Sequence, residues 1–322
     1  MPLAEKALIA QIRRLAGRGR RRSIVAGIGD DCAILSLPAG HEALVTTDFS
    51  LEGVHFRREW HPPETVGHRC LARGLSDIAA MGGKPISAFL SLALPRSAPQ
   101  AWATRFVDGL LKLAAKHEVT LAGGDVAQSP GGVLADIVVV GSVPRGQAIL
   151  RSGAQPGDRI YVTGDVGGSA AALDQLFSGR KNNLRAADHP SHFFPAPRVE
   201  VGQFLRKKKF ASAMIDTSDG LSTDLAHICE ESAVGATLRA ESIPRARVGR
   251  SKGPVDLRFA LHGGEDYELL FTVSPGKSLP ARIKGVAVTE IGRITRSRKI
   301  ALIDSHGHRA MLRPGGWEHL RD

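Results

Sequence analysis

Apolar residues along the chain recur in two periods, and each period marks one kind of element. Over residues 64–81, Val66, Leu71, Leu75 and Ile78 fall on one side of a helix that Gly82 and Gly83 are placed to stop. Trp102, Phe106, Leu110 and Leu113 keep the same period over 98–117 and predict a second helix. Leu8, Ile12 and Leu15 predict a shorter one over 4–15, and Leu221, Leu225 and Ile228 another over 221–231. Strand-sized apolar runs stand at 86–94, 119–122, 133–143, 159–163, 213–215, 269–273 and 300–303. Upstream, the runs 33–37 and 43–47 flank Pro38-Ala39-Gly40 and predict a strand pair. Helices and strands intermix throughout, so the fold class is α/β or α+β.

The texture changes at 144–157, where turn residues accumulate before the strand at 159, and a domain boundary is expected there, giving domains 1–148 and 149–322. A chain of 322 residues exceeds the size at which one core usually keeps growing, which favours two domains over one. Residues 178–197 are polar and contain proline, and read as an excursion or linker. Residues 164–171, GDVGGSAA, resemble a glycine-rich turn into a helix only loosely.

Composition narrows the function classes. Hydrophobic residues make up 43% and charged residues 23%, which supports a folded core. No run approaches the roughly 18 apolar residues of a membrane span, so a soluble, cytoplasmic protein is expected. The arginines at 13, 14, 18 and 20–22 suggest a transit peptide, but Glu5 and the lack of a serine-rich stretch favour a mature helix. Cys32, Cys70 and Cys229 form no CxxC pair and are expected as buried thiols of a cytosolic protein. A net charge of +11, with basic runs at 18–22 and 206–209, raises the possibility of nucleic-acid binding. Aromatics are only 5% and no stacking motif interrupts the basic runs, so steering of anionic substrates is the better reading.

The chemistry lies in carboxylates at the ends of apolar runs or beside glycine: Asp30 and Asp31 in GIGDDCA, Asp48 in TTD, Asp77 in LSDIAAMGG, Asp125 in AGGDV, and Asp216 and Asp219 in IDTSDGL. Each alone is an ordinary turn residue. Asp77 is less ordinary, because a negative charge near a helix C-terminus opposes the dipole and needs a stabilising partner. If these groups meet, repulsion raises their pKa values unless a cation neutralises them, and an all-oxygen set suits Mg²⁺ with substrate phosphates. Zinc, which requires closely spaced His or Cys, is not expected. The pattern therefore points to phosphoryl transfer, although neither a GxxxxGK[ST] loop nor a protein-kinase motif set occurs.

Seven strings occur in order: GIGDDCA, TTD followed by GVHF, LSDIAAMG, AGGDV, LRSGAQPGDRIYVTG, IDTSDGLSTDL and HGGEDYELLF. Together they resemble the thiamine-monophosphate kinases, within the superfamily of aminoimidazole ribonucleotide synthetase and selenophosphate synthetase, over nearly the whole chain. The resemblance implies two α/β domains: an N-terminal one that binds ATP and Mg²⁺ and pairs in a barrel-like homodimer, and a C-terminal one that completes the active site. It implies that Asp31, Thr46, Thr47, Asp48, Asp77, Asp125, Asp216 and Asp219 hold several Mg²⁺ ions. Gly124, Asp125, Arg151 and Ser218 would contact ATP, and His117 falls where some relatives place a tyrosine beside adenine. His55, Glu265 and Trp317 would contact thiamine monophosphate. Arg73-Gly74 before LSD, and Phe194 before PAPR, depart from the common pattern.

Because the acceptor is already a phosphate, ionised with a second pKa of about 6, no general base and hence no catalytic side chain is expected. Direct in-line transfer is expected, driven by positioning and charge neutralisation. The alternatives are a sister enzyme resembling aminoimidazole ribonucleotide synthetase, a metal-dependent phosphate hydrolase, and a basic nucleic-acid binder.

Overall fold

The computed structural model describes residues 5–17, 23–29, 31–178, 185–249, 253–318 and 320; Asp30 and the arginines at 18 and 20–22 lie outside them. The chain divides into two compact units, one of residues 1–78 and 83–146, the other of 79–82 and 147–322. Among the described residues no helix is long and apolar enough to cross a membrane.

The first unit runs α1 (Glu5–Ala16), β1 (Ile24–Ala26), β2 (Ile34–Leu35), β3 (His41–Leu51), α2 (Pro63–Ala80), β4 (Lys84–Leu94), α3 (Gln100–Lys116), β5 (Thr120–Gln128) and β6 (Leu134–Pro144). Four strands form a sheet in the order β3-β6-β4-β5. β4 and β5 are parallel, so α3 serves as the crossover that parallel neighbours require. On β6, Ala135, Ile137 and Val139 alternate inward and are fully buried, as are Leu71 and Leu75 of α2 and Phe106 and Leu110 of α3. Gly82, with φ +67°, ends α2 in the left-handed conformation that glycine adopts without steric cost. On β3, by contrast, Val45 and Phe49 are 67% and 56% exposed.

One expectation fails here. Residues 33–37 and 43–47 do not pair with each other: β2 pairs with β1, and β3 pairs along all eleven of its residues with β6. The reason is burial and ladder length. Ala33, Leu35 and Leu37 pack on Ile24, Ile86 and Ala122, which leaves β3 for the longer partner.

The second unit contains β7 (Arg159–Thr163), α4 (Gly168–Phe177), α5 (Pro190–Phe193), α6 (Val199–Lys207), β8 (Ala211–Asp216), α7 (Leu221–Glu231), β9 (Gly235–Arg239), α8 (Leu257–His262), β10 (Leu269–Val273), β11 (Arg282–Ile283), β12 (Val286–Thr295), β13 (Ile300–Ile303) and β14 (Arg309–Met311). Its sheet has the order β14-β13-β9-β12-β7-β10-β8, with β11 added to β12. All five residues of β10 are buried, as expected of an inner strand flanked on both edges. Leu221, Leu225 and Ile228 fix α7 on a core that includes Ile160, Ile215, Leu238 and Leu270. Residues 185–197 are more than a polar excursion: α5 forms, and His189, His192 and Phe193 are buried. Ser169 Oγ lies 2.9 Å from His192 Nδ1, a partner that makes burial of the imidazole affordable.

Candidate active site

Strand periodicity sorts the first carboxylates. Side chains on β3 alternate between faces, so Thr46 and Asp48 share one side and Thr47 takes the other. On the first side, Thr46 Oγ1 donates to Asp77 Oδ2 on α2, which supplies the partner that an acid in the last turns of a helix needs. Gly74, one turn earlier on α2, makes this approach possible: a Cβ there would stand 2.6 Å from Val139 Cγ2 and 3.4 Å from Thr46 Cγ2. Beside it, Arg73 Nη1 donates to the Phe49 carbonyl at 2.9 Å. The unusual Arg73-Gly74 pair thus brings α2 against β3 and ties it there.

Asp48 and Asp77 act on each other. Burial, then the charge of Asp77 and a hydrogen bond shared with it, push the Asp48 carboxyl up to about 7, against the opposing pull of Arg73. Two acids this close hold a proton where a cation would otherwise neutralise them. Cys70 is buried and raised to about 12 chiefly by burial, so it is an inert thiol; Cys229 is buried too, whereas Cys32, expected to be buried, is exposed.

A stability prediction follows from Asp48. A carboxyl raised from 3.8 to about 7 contributes stability that is complete below the lower value and is lost as pH rises through the higher one. Asp48→Asn mimics the protonated form. With divalent cations chelated, the variant should gain in melting temperature relative to the parent as pH climbs from 3.8 to about 7. A difference that stays flat with pH would show that Asp48 ionises normally.

On the opposite side of β3, Thr47 Oγ1 donates to Asp136 Oδ1 at 2.7 Å. Register places Asp136 opposite Ser91 and Ser91 opposite Asp125, one row across β6, β4 and β5. Asp125 is exposed and its Oδ1 accepts from the Val126 amide at 2.8 Å. Gly124 before it has φ +141°, and a Cβ there would lie 1.9 Å from the Leu90 carbonyl oxygen on β4, so only glycine fits against the neighbouring strand. Asp31 is exposed between β1 and β2. His55 Nδ1 accepts from the Leu51 amide at 3.0 Å, which leaves the ring proton on Nε2. His117 is the C-cap residue of α3.

In the second unit the backbone gathers the remaining residues. Asp216 ends β8, buried, and the turn after it pairs with the loop before β10: the Glu265 amide donates to the Ser218 carbonyl at 2.8 Å and the Tyr267 amide to the Thr217 carbonyl at 3.0 Å. The Trp317 amide donates to the Asp219 carbonyl at 3.2 Å. Asp216, Ser218, Asp219, Glu265 and Trp317 therefore belong to one small region, with Trp317 57% exposed. Glu265 and Tyr267 carry φ of +67° and +53°, conformations costly for non-glycine residues and concentrated where function constrains the chain. Arg151 is not part of this region. Ser232 Oγ donates to its carbonyl at 3.0 Å just beyond the C-terminal end of α7, whereas Asp219 precedes the N-terminal end.

Two acids here escaped the sequence reading. Asp224 in the first turn of α7 is buried, and its Oδ2 accepts from the Gly220 amide at 3.0 Å. Burial, followed by the charges of Asp216 and Asp219, raises its carboxyl well above the usual range. The available signal was its place four residues after Gly220 in GLSTD, where a carboxylate reaches the amides of a helix start. Asp136, the other, had only strand alternation to mark it.

Further acids of the HGGEDYELL string are structural. Asp266 Oδ2 accepts from the Gly167 amide at 2.5 Å and Oδ1 from the Ser169 amide at 3.2 Å, holding the start of α4. Burial nevertheless lifts its carboxyl to about 7. Glu268 is gripped by the guanidinium of Arg198, through Nε at 2.7 Å and through Nη2, and accepts from Thr163 Oγ1 at 2.5 Å.

Comparison with known proteins adds to this geometry. Residues 29–143 match the model of the AIR synthase related protein N-terminal domain, and 155–305 that of the AIR synthase related protein C-terminal domain. The thiamine-monophosphate kinase of Salmonella typhimurium is 40% identical over 265 residues, covering 80% of this chain and 78% of that protein. The chain belongs to the thiamine-monophosphate kinase family. The crystal structure of the Stenotrophomonas maltophilia K279a thiamine-monophosphate kinase superposes with a TM-score of 0.83 at 37% identity, covering 96% of this chain and 99% of that one. AaThiL complexed with AMPPCP and TMP superposes with a TM-score of 0.77 at 30% identity, covering 99% of each chain. The mixed α/β fold of the thiamine-monophosphate kinases is thus the fold of this chain. Trp317 lies beyond the matched C-terminal domain, so its link to Asp219 is information that the domain match does not carry.

Proposed function

We propose that this chain transfers the γ-phosphoryl group of ATP directly, in line, to the phosphate of thiamine monophosphate, giving thiamine diphosphate with the help of several Mg²⁺ ions. The observation that carries the reading is the Asp48–Asp77 pair with the Thr46 hydroxyl, a set of oxygen donors in which burial, and then the charge of Asp77, raise Asp48 to about 7. Such a set fits a hard divalent cation. The residues proposed to hold Mg²⁺ are Asp31, Thr46, Thr47, Asp48, Asp77 and Asp125 in the first unit and Asp216 and Asp219 in the second. When bound, Mg²⁺ would neutralise the repulsion between two anionic phosphates, the principal obstacle in this reaction.

The side chains have complementary tasks. Gly124, Asp125, Arg151, Ser218 and His117 are assigned to ATP: Gly124 lets β5 press against β4 beside the exposed Asp125, and the exposed Arg151 guanidinium can fork onto phosphate oxygens. His55, with its proton on Nε2, is a donor for the acceptor phosphate. Glu265 suits the cationic thiamine moiety, and Trp317 offers an exposed ring to stack on it. No side chain needs to remove a proton, since the acceptor phosphate is already ionised. In this reading domain 1–148 binds ATP and Mg²⁺ and forms a homodimer, domain 149–322 contributes Asp216, Asp219, Glu265 and Trp317, and the enzyme works in the cytoplasm. Exposed Val45 and Phe49 on the four-stranded sheet support the dimer.

The test is ATP turnover with Mg²⁺ and a set of acceptors: thiamine monophosphate, free thiamine and aminoimidazole-ribonucleotide precursors. Thiamine monophosphate should be preferred, with no labelled protein after acid quench of γ-labelled ATP. Preference for another acceptor, or phosphate release without any acceptor, would overturn the substrate assignment, and a labelled chain would overturn direct transfer.

A further inference from the structure

The loop joining β13 to β14 reads Asp304-Ser305-His306-Gly307-His308 and plays no part in the chemistry above. Asp304 organises it. Its Oδ1 accepts from the amides of His306 at 2.8 Å and His308 at 2.9 Å, its own amide donates to the His308 carbonyl at 3.1 Å, and the Gly307 amide donates to its carbonyl at 3.1 Å. Gly307, with φ +82°, closes the turn. The two imidazoles consequently lie side by side, ring centroids 6.0 Å apart and planes within 24°. Asp304 Oδ2 is 3.2 Å from His308 Nδ1.

We propose that Asp304, His306 and His308 form a binding site for a divalent transition-metal ion of the Zn²⁺ or Ni²⁺ type. Among the described residues this is the one trio of His, Cys, Asp or Glu whose ligand atoms all lie within 4.8 Å of one another. Metal–ligand bonds of about 2.0–2.2 Å set tetrahedral ligand atoms roughly 3.3 Å apart. Small rotations of exposed side chains close that gap, because the turn already holds their backbones. Two imidazoles and one carboxylate select borderline ions over Mg²⁺, which prefers oxygen and gives up water reluctantly. The side chains of Asp304 and His308 are 46% and 82% exposed, so solvent completes the coordination. The neighbouring cation is drawn aside, since Arg309 Nη2 donates to Thr237 Oγ1 at 3.4 Å. A bound ion would clip together the hairpin that forms one edge of the eight-stranded sheet, where β14 has a single partner.

The experiment is calorimetric titration of the full chain with Zn²⁺, in excess Mg²⁺ so that oxygen-donor sites are occupied, beside the double variant His306→Ala/His308→Ala. The parent should bind one Zn²⁺ that the variant loses or binds more than about tenfold more weakly, the range in which even an outer partner of a metal ligand matters. Co²⁺ should give visible ligand-field absorption in the parent only, and binding should fade on acidification as protons compete for imidazole. Kinase turnover in Mg²⁺ should match in the two proteins and certifies that the variant is folded. Absence of saturable Zn²⁺ binding, or equal binding by a folded double variant, would overturn the site.

Discussion

Asp48→Asn should lower turnover by about 10²–10³-fold, the loss typical when one preorganised charge-stabilising group leaves an active site. The side chain keeps its shape and can still bond Asp77, but it no longer offers a carboxylate oxygen to a divalent cation. The same exchange removes the buried charge, and with it the desolvation cost and the repulsion by Asp77 that lift Asp48 to about 7, so the variant should fold at least as well as the parent without metal. The two effects have opposite signs. That opposition separates a functional loss from misfolding: circular dichroism and melting report the fold, while ATP turnover reports the site. Parental turnover in Asp48→Asn would remove this residue from the proposed Mg²⁺ set.

Arg198→Met should cost about 3–5 kcal/mol of folding stability, because it strands the buried Glu268 without its cation. Thr163 Oγ1 would remain as a donor to Glu268, too little to balance a desolvated charge. Burial raises the Glu268 carboxyl even now, with Arg198 and Thr163 pulling it down. Losing the arginine lets it rise further, and the contribution of a raised carboxyl is lost as pH increases. The penalty should therefore be smallest in acid and grow toward neutrality. Adding Glu268→Gln should restore most of the lost stability, since the paired groups then leave together. Urea unfolding of the parent, the single variant and the double variant gives the comparison; equal midpoints for parent and Arg198→Met would show that the ion pair contributes nothing.

Where local pattern and tertiary demand agree, the structure follows the sequence closely. The elements Arg159–Thr163, Leu221–Glu231, Leu269–Val273 and Ile300–Ile303 coincide with the apolar runs that predict them, because each run is a core face of one period. Pairing was not legible. The turn Pro38-Ala39-Gly40 suggests a hairpin, yet β3 takes a partner some ninety residues onward, a choice set by ladder length and burial in the assembled sheet. β12 was missed for a related reason: Thr289, Glu290 and Gly292 blur its apolar pattern, and its pairing with β7 and β9 supplies what propensity lacks.

The site shows the same division. Strand alternation separates Thr46 and Asp48 from Thr47, and the Thr46–Asp77 bond answers the need that the helix dipole implied. The paired loops that bring Glu265 to Ser218 and Trp317 to Asp219 are joined by main-chain groups, which no side-chain pattern reports. Asp136 became visible only through its bond to Thr47, and Asp224 only through burial beside two other acids.

The left-handed backbone at Glu265 and Tyr267 bears on how the enzyme can be improved. Glycine would relax Glu265 by about 1 kcal/mol, the order of cost of such strained residues, whereas at Tyr267 the loss of a buried aromatic ring outweighs that gain, so a library screened for heat resistance alone should drift toward glycine at Glu265 only. If the Glu265 carboxylate recognises thiamine, those survivors would be sturdier proteins that have forgotten their substrate.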